Sequence, residues 1–140
     1  MRIRLAVESD LSPVVELDDV ARQPDGARAR FLSEQAATGQ MLVAEDEHEI
    51  VGYVVHDRSF FERGFVHLLY VGVSHRRRGV GSALLAAAVG VCGTRRVFTS
   101  TNQSNTGMQA LLNRSGWVPA GSVDGLDEGD PEVFFYIDAG

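Results

Sequence analysis

A β-rich run ends in three arginines and a glycine pair, and a helical run follows at once. Phe65 to Ser74 reads as a strand, and Gly72 within it suggests a bulge or a close backbone approach. Arg76-Arg77-Arg78-Gly79-Val80-Gly81 comes next. From about Gly79 to Cys92, the residues Val80, Leu84, Ala88 and Val91 recur at helical spacing, and Gly93 can close the helix. A strand feeding a helix through glycines places unpaired N–H groups and a positive dipole end beside the arginines. Such a turn binds phosphate, because glycines let the anion reach the backbone and arginines add charge-assisted hydrogen bonds.

Two phosphate motifs do not fit. A P-loop needs Gly-Lys followed by Ser or Thr, which is absent. A dinucleotide fingerprint needs a third small residue after Gly79 and Gly81, but position 84 is leucine.

The rest of the chain supplies a mixed pattern. Ile3, Leu5 and Val7 alternate as a first strand, and Ser9-Asp10 and Ser12-Pro13 give helix-start signals. Val14, Val15, Leu17, Val20 and Ala21 form one helical face, and a second helix is expected from Ala27 to Ala37, ending at Gly39. Met41 to Ala44 and Ile50 to His56 read as a hairpin with the polar tip Glu45 to Glu49. Arg96 to Ser100 is a further strand. Ser104 is placed to cap a helix carrying Met108, Leu111 and Leu112 and closed by Gly116. Trp117 to Ser122 and Val133 to Ile137 are the last strands. This order predicts an α/β or α+β fold with a parallel strand pair around the central helix. A length of 140 residues favours a single domain, 1–140, with a core that needs no staple.

Charge narrows the function. The net charge is −6, which sets nucleic acid aside as the main partner. Between His75 and Arg96 there are five arginines and no acid, whereas Asp124, Asp127, Glu128, Asp130 and Glu132 crowd the end. Two sites of opposite charge demand are implied. The lone Cys92 excludes an internal disulfide and suits a reducing cytoplasm. Met1 to Glu8 shows no signal-peptide apolar region, and no run approaches the roughly 18 apolar residues of a membrane span. His48, His56, His67 and His75 show no metal-ligand spacing, so no metal is expected.

Arg-x-x-Gly-x-Gly opening a helix after a strand resembles the acetyl-coenzyme A signature of the GNAT superfamily of N-acetyltransferases. The resemblance extends to Leu69-Tyr70-Val71 before it and Ser82-Ala83-Leu84-Leu85 after it. Ile3 to Ala6, Ser9 to Leu11, Val51 to Val55, Asn105, Leu111 and Gly116-Trp117 carry it through nearly the whole chain. The Leu126 to Glu132 ending, with Ser104-Asn105 and Met108-Gln109, is similar to one bacterial subset. The resemblance implies a mixed sheet of six to seven strands with about four helices on both faces. Its fourth and fifth strands splay around the pantetheine arm.

The resemblance also implies roles. Acetyl-CoA would be the cosubstrate, bound by Arg76, Arg77, Arg78, Gly79, Val80, Gly81, Ser82 and Asn105. The backbone of Val71 and Val73 would pair with the pantetheine amides as an added strand does. The N–H near Val71 would polarise the thioester. The family's acceptors are amines, its members are often homodimers, and the acidic loop would border the acceptor site. There, Asp127, Glu128 and Asp130 attract a cationic small or peptidic amine, although a solvated Gly/Asp/Pro turn fits the same residues.

Chemistry adds a base and removes an acid. Only the free amine attacks, so the ammonium must lose a proton. His67 shares strand parity with Val71, and an ordinary imidazole, with pKa about 6.5, suits that task. A half-buried strand histidine fits the same residue, and Glu128 or Asp130 could relay the proton through water. Tyr70 has opposite parity and reads as packing. The family's usual general acid, a tyrosine seven residues after the asparagine, is here Leu112. Its loss removes a contribution of about 10²–10⁴-fold. A thiol with pKa near 8.5 still leaves fairly well. The competing expectation is a domain that binds or senses acyl-coenzyme A with weak or no turnover.

Overall fold

The computed structural model describes residues 1–140. In chain order it contains β1 (Arg2–Leu5), α1 (Leu11–Leu17), α2 (Ala27–Ala37), β2 (Met41–Asp46), β3 (Glu49–Phe60) and β4 (Arg63–Val71). Then follow α3 (Val80–Cys92), β5 (Arg96–Asn102), α4 (Thr106–Arg114), β6 (Val118–Val123) and β7 (Glu132–Asp138). The seven strands are ordered β1-β2-β3-β4-β5-β7-β6. Neighbours β1–β2, β2–β3, β5–β7 and β6–β7 are antiparallel, and β4–β5 is parallel. The mixed sheet and four α-helices meet the expected fold class. No helix is long and apolar enough to cross a membrane.

The chain forms two compact units, Met1–His56 with Leu68–Ala88 and Asp57–His67 with Val89–Gly140. The first is built on a core that includes Val14, Leu32, Met41, Val43, Tyr53 and Val55. Each such aliphatic side chain, fully buried, contributes about 1.5–3 kcal/mol relative to exposure. The α2 boundaries are those the sequence predicts: Asp25 Oδ1 accepts from Ala27 N–H at 3.0 Å, and Gly39 adopts φ 74° after the last turn.

Helix α1 is shorter than its apolar stripe. Val20 and Ala21 lie beyond it, because Asp18 takes extended dihedrals and turns its carboxylate to the Val20 N–H at 2.9 Å. Asp18 is fully buried, and the same carboxylate accepts from the Tyr53 hydroxyl and from Arg28. The β2–β3 hairpin is tighter than expected, turning at Glu47-His48, both at positive φ.

The β4 strand stops at Val71 rather than Ser74. Val73 to His75 form one turn of 3₁₀ helix, closed by His75 N–H on the Gly72 carbonyl at 2.9 Å. Gly72 itself donates to Val51 O at 2.8 Å, and a Cβ there would sit 2.6 Å from Leu17 Cδ1. The close approach read from the sequence is therefore real, and it ends the strand.

In the second unit one face of the sheet is buried. Val66, Val97, Thr99 and Phe135 are buried on that face. Gly64, of the same parity as Val66, leaves room for Cys92 at the end of α3, and Gly116 after α4 lies against Ile137. Parallel pairing joins Gly64 to Val97, Phe65 to Phe98 and Val66 to Thr99. At the last pair the Thr99 hydroxyl donates to the Val66 carbonyl at 2.9 Å, satisfying the oxygen where the ladder ends.

Three further details differ from expectation. Val91 is exposed, and the buried α3 stripe runs through Val80, Leu84, Leu85, Ala88 and Cys92. Asn105, not Ser104, caps α4, its side chain accepting from Met108 N–H at 3.1 Å. Strand β3 continues past His56 to Phe60, through a polar segment that breaks the apolar pattern.

Candidate functional site

The first unit contains the arginine turn. Arg77 sits at φ 64° and Gly79 at φ 82°, so the chain reverses before α3 begins. Ala83 N–H bonds to the Gly79 carbonyl at 3.0 Å, and the first-turn N–H groups therefore precede the helical ladder. A Cβ at Gly79 would meet no atom within 4 Å, so the space beside the turn is open. Arg76, Arg77 and Arg78 are exposed around it. This is a cationic helix N-terminus with room for a phosphate.

Arg76 folds back onto β4. Its Nε donates to Val71 O at 2.9 Å, and its guanidinium lies 5.4 Å from the Tyr70 ring centroid. Tyr70 stacks on Tyr53 and donates to Asp19 Oδ1 at 3.3 Å, a packing role as its parity implies. Val71 closes the strand, whereas Val73, 74% exposed, stands outside it.

The second unit contains His67. Its Nε2 lies 2.8 Å from Asp57 Oδ1, and Phe65 meets the imidazole edge-on at 4.8 Å. Asp57 Oδ1 also accepts from Ser59 N–H at 3.0 Å and Ser59 Oγ at 2.7 Å. Burial pushes the Asp57 carboxyl up, but the bonds from Ser59 and His67 outweigh it and hold the group below the usual carboxylate range. His67 thus faces a fixed negative charge.

The acidic run occupies the loop between β6 and β7, as predicted. Asp127 accepts from Asn102 Nδ2 at 2.8 Å. Asp130 accepts from Ser104 N–H at 3.0 Å and Ser104 Oγ at 2.6 Å. These two carboxylates fasten the loop to the β5–α4 connection, and Glu128 remains exposed. Leu112 is fully buried.

The structure therefore gathers Val71, Val73 and Arg76 to Ser82 within one unit. It gathers His67, Asn105, Asp127, Glu128 and Asp130 within the other. Sequence reading missed Asp57 and Ser59. Their polar segment falls beyond the expected strand end, and only the hairpin pairing of β3 with β4 would bring them to His67.

The family model described as Acetyltransferase (GNAT) family matches residues 8–117. A mycothiol acetyltransferase from Kineococcus radiotolerans is 35% identical over 117 residues, covering 76% of this chain but 38% of that protein. The chain thus spans little more than a third of the length of this curated relative. A GNAT-family acetyltransferase from Bacillus cereus is 32% identical, with TM-score 0.90 over 98% of this chain and 96% of that one. A Salmonella typhimurium protein, solved with its cofactor acetyl-CoA, has TM-score 0.77 over 100% and 94% of the two chains. At 19% identity it shares the fold.

Proposed function

The chain belongs to the acetyltransferase (GNAT) family, and from that membership we propose that it moves an acetyl group from acetyl-CoA to a primary amine of a small or peptidic cationic acceptor. The observation that carries this reading is the arginine-flanked N-terminus of α3 directly after β4, with open space at Gly79. Acetyl-CoA supplies an activated thioester and a pyrophosphate. In this reading, the first-turn N–H groups of α3 and Arg76 to Arg78 take the pyrophosphate. Val71 N–H donates toward the carbonyl that accumulates charge.

His67 takes the proton of the acceptor ammonium, leaving the free amine as nucleophile. Asp57 orients the imidazole and stabilises the charge it acquires, and Ser59 holds Asp57 in turn. Glu128 is an exposed carboxylate able to draw in a cation.

A second reading is favoured by Leu112. A fully buried alkyl chain at the position of the family's general acid offers no proton to a thiolate. The domain would then bind acyl-coenzyme A without turning it over. Incubation with acetyl-CoA and a panel of amines, following free thiol, separates the two. Amine-dependent thiol release supports transfer. Coenzyme binding with no release for any amine supports the sensor.

A further inference from the structure

The two faces of the second unit's sheet differ in burial. Cys92, at the end of α3, and Gly116, after α4, lie on the Val66–Phe135 side. The opposite parity carries Phe65, Phe98, Phe134 and Tyr136, all half-buried, with Phe60 at their centre. Phe60 lies 4.9 Å from Phe65, 5.1 Å from Phe98 and 5.8 Å from Phe134, ring centroid to centroid. Tyr136 continues the wall at 5.8 Å from Phe98. Five rings thus form a continuous aromatic floor.

The floor is charged differently at its two ends. Because β4 and β5 are parallel and β7 runs against them, His67, Ser100 and Glu132 all fall at the end marked by the C-termini of β4 and β5. Two carboxylates stand there: Asp57 on His67, and Glu132, whose Oε2 accepts from Ser100 Oγ at 2.7 Å. At the other end Arg96 covers Tyr136, its guanidinium 4.0 Å from the ring centroid and paired with Asp138. A cation is welcome at the first end, whereas at the second the Arg96 guanidinium already occupies the Tyr136 ring face.

We propose that this face seats the acceptor, and that the acceptor is a primary amine carried on an aromatic or similarly flat apolar body, its ammonium toward Asp57, His67 and Glu132. The inference rests on the acetyl-transfer reading and gives it a substrate class. Rings supply area and a negative π-face for the cation, and the carboxylates supply charge. A second copy of the chain suits the face less well, since its closure would carry the cost of desolvating the Asp57 and Glu132 carboxylates.

The test is equilibrium binding by calorimetry, without coenzyme, so that its outcome is independent of whether acetyl transfer occurs. The probes are 2-phenylethylamine, n-butylamine, which lacks the ring, and 2-phenylethanol, which lacks the charge. We expect 2-phenylethylamine to bind at least about tenfold tighter than either control. Phe134→Leu, which keeps apolar bulk, should weaken it about fivefold by removing the π-face. Phe134→Ser should weaken it tenfold or more in protein that still melts cooperatively. Equal affinity for n-butylamine, or wild-type affinity in both Phe134 variants, would overturn the proposal. So would a change of Phe134→Ser from dimer to monomer with amine binding intact, which would make the face a subunit interface.

Discussion

Asp57 Oδ1 lies 2.8 Å from His67 Nε2, and the same oxygen accepts both the N–H and the hydroxyl of Ser59. A carboxylate held by three donors has one orientation and fixes the imidazole against it. If His67 accepts the acceptor's proton, His67→Gln should lower kcat about 10²–10⁴-fold. Asp57→Asn should lower kcat with little change in KM for acetyl-CoA. The double variant should be no slower than His67→Gln alone, because Asp57 acts through His67. Thiol-release kinetics on the three proteins check this. Additive losses would assign Asp57 a merely structural role.

The arginine turn gives a prediction about binding. Gly81 lies in the first turn of α3, where an anion must approach the backbone. Gly81→Glu places a carboxylate there and should abolish acetyl-CoA binding by calorimetry while the protein still folds. Normal affinity in folded Gly81→Glu would move the coenzyme site elsewhere.

These two features differ in how far the sequence reveals them. Arg76 to Gly81 is contiguous, so its chemistry is visible before any folding. The same is true of α2, whose bounds and closing Gly39 are local. Asp57 and His67 meet only across a hairpin, and the polar Asp57-Arg58-Ser59 stretch hides the fact that β3 continues. Helix α1 ends earlier than its sequence pattern suggests for a similar reason. Its stripe of Val14, Leu17, Val20 and Ala21 is helical in pattern, but Asp18 finds Tyr53 and Arg28 far along the chain and breaks the helix. Tertiary partners override local pattern where a buried charge must be satisfied.

That buried charge predicts the acid response. Burial pushes the Asp18 carboxyl up, but hydrogen bonds from Tyr53 and Arg28, the Arg28 charge and the Val20 N–H lower it on balance. Asp10 is lowered as well, chiefly by its hydrogen bond from Arg4. Groups depressed in the folded state contribute stability that is present above the unfolded pKa, about 3.9 for Asp. That stability is lost as pH falls through the folded values. The melting temperature should therefore drop steeply below about pH 4. Asp18→Asn should cost about 1–3 kcal/mol at neutral pH, by weakening the hydrogen bonds that Tyr53, Arg28 and the Val20 N–H make to a buried carboxylate, and should flatten part of the acid limb. Thermal melts of both proteins from pH 3 to 7 read the two effects together.

Packing of Cys92, at the end of α3, on Gly64 gives the last prediction. A Cβ at Gly64 would lie 2.8 Å from Cys92 Cβ, 2.9 Å from its sulfur and 2.9 Å from Thr94 Oγ1. None of these atoms is the far end of a flexible chain. Thr94 is also fixed, because its hydroxyl accepts from Gly64 N–H at 2.9 Å and donates to Arg96 O at 3.0 Å. Gly64→Ala must therefore push the end of α3 away from β4 or break the Thr94 bonds. Overpacking of this kind costs about 1–3 kcal/mol. Cys92→Ala removes the sulfur but keeps the Cβ contact, so it should relieve the Gly64→Ala penalty in part. On its own it should be mildly destabilising, because Cys92 is buried and packs as a small apolar group. Denaturant unfolding of the two single variants and the double variant measures the coupling. A positive coupling of about 0.5 kcal/mol or more is expected for residues in contact. Strict additivity would mean that the clash is absorbed at Thr94.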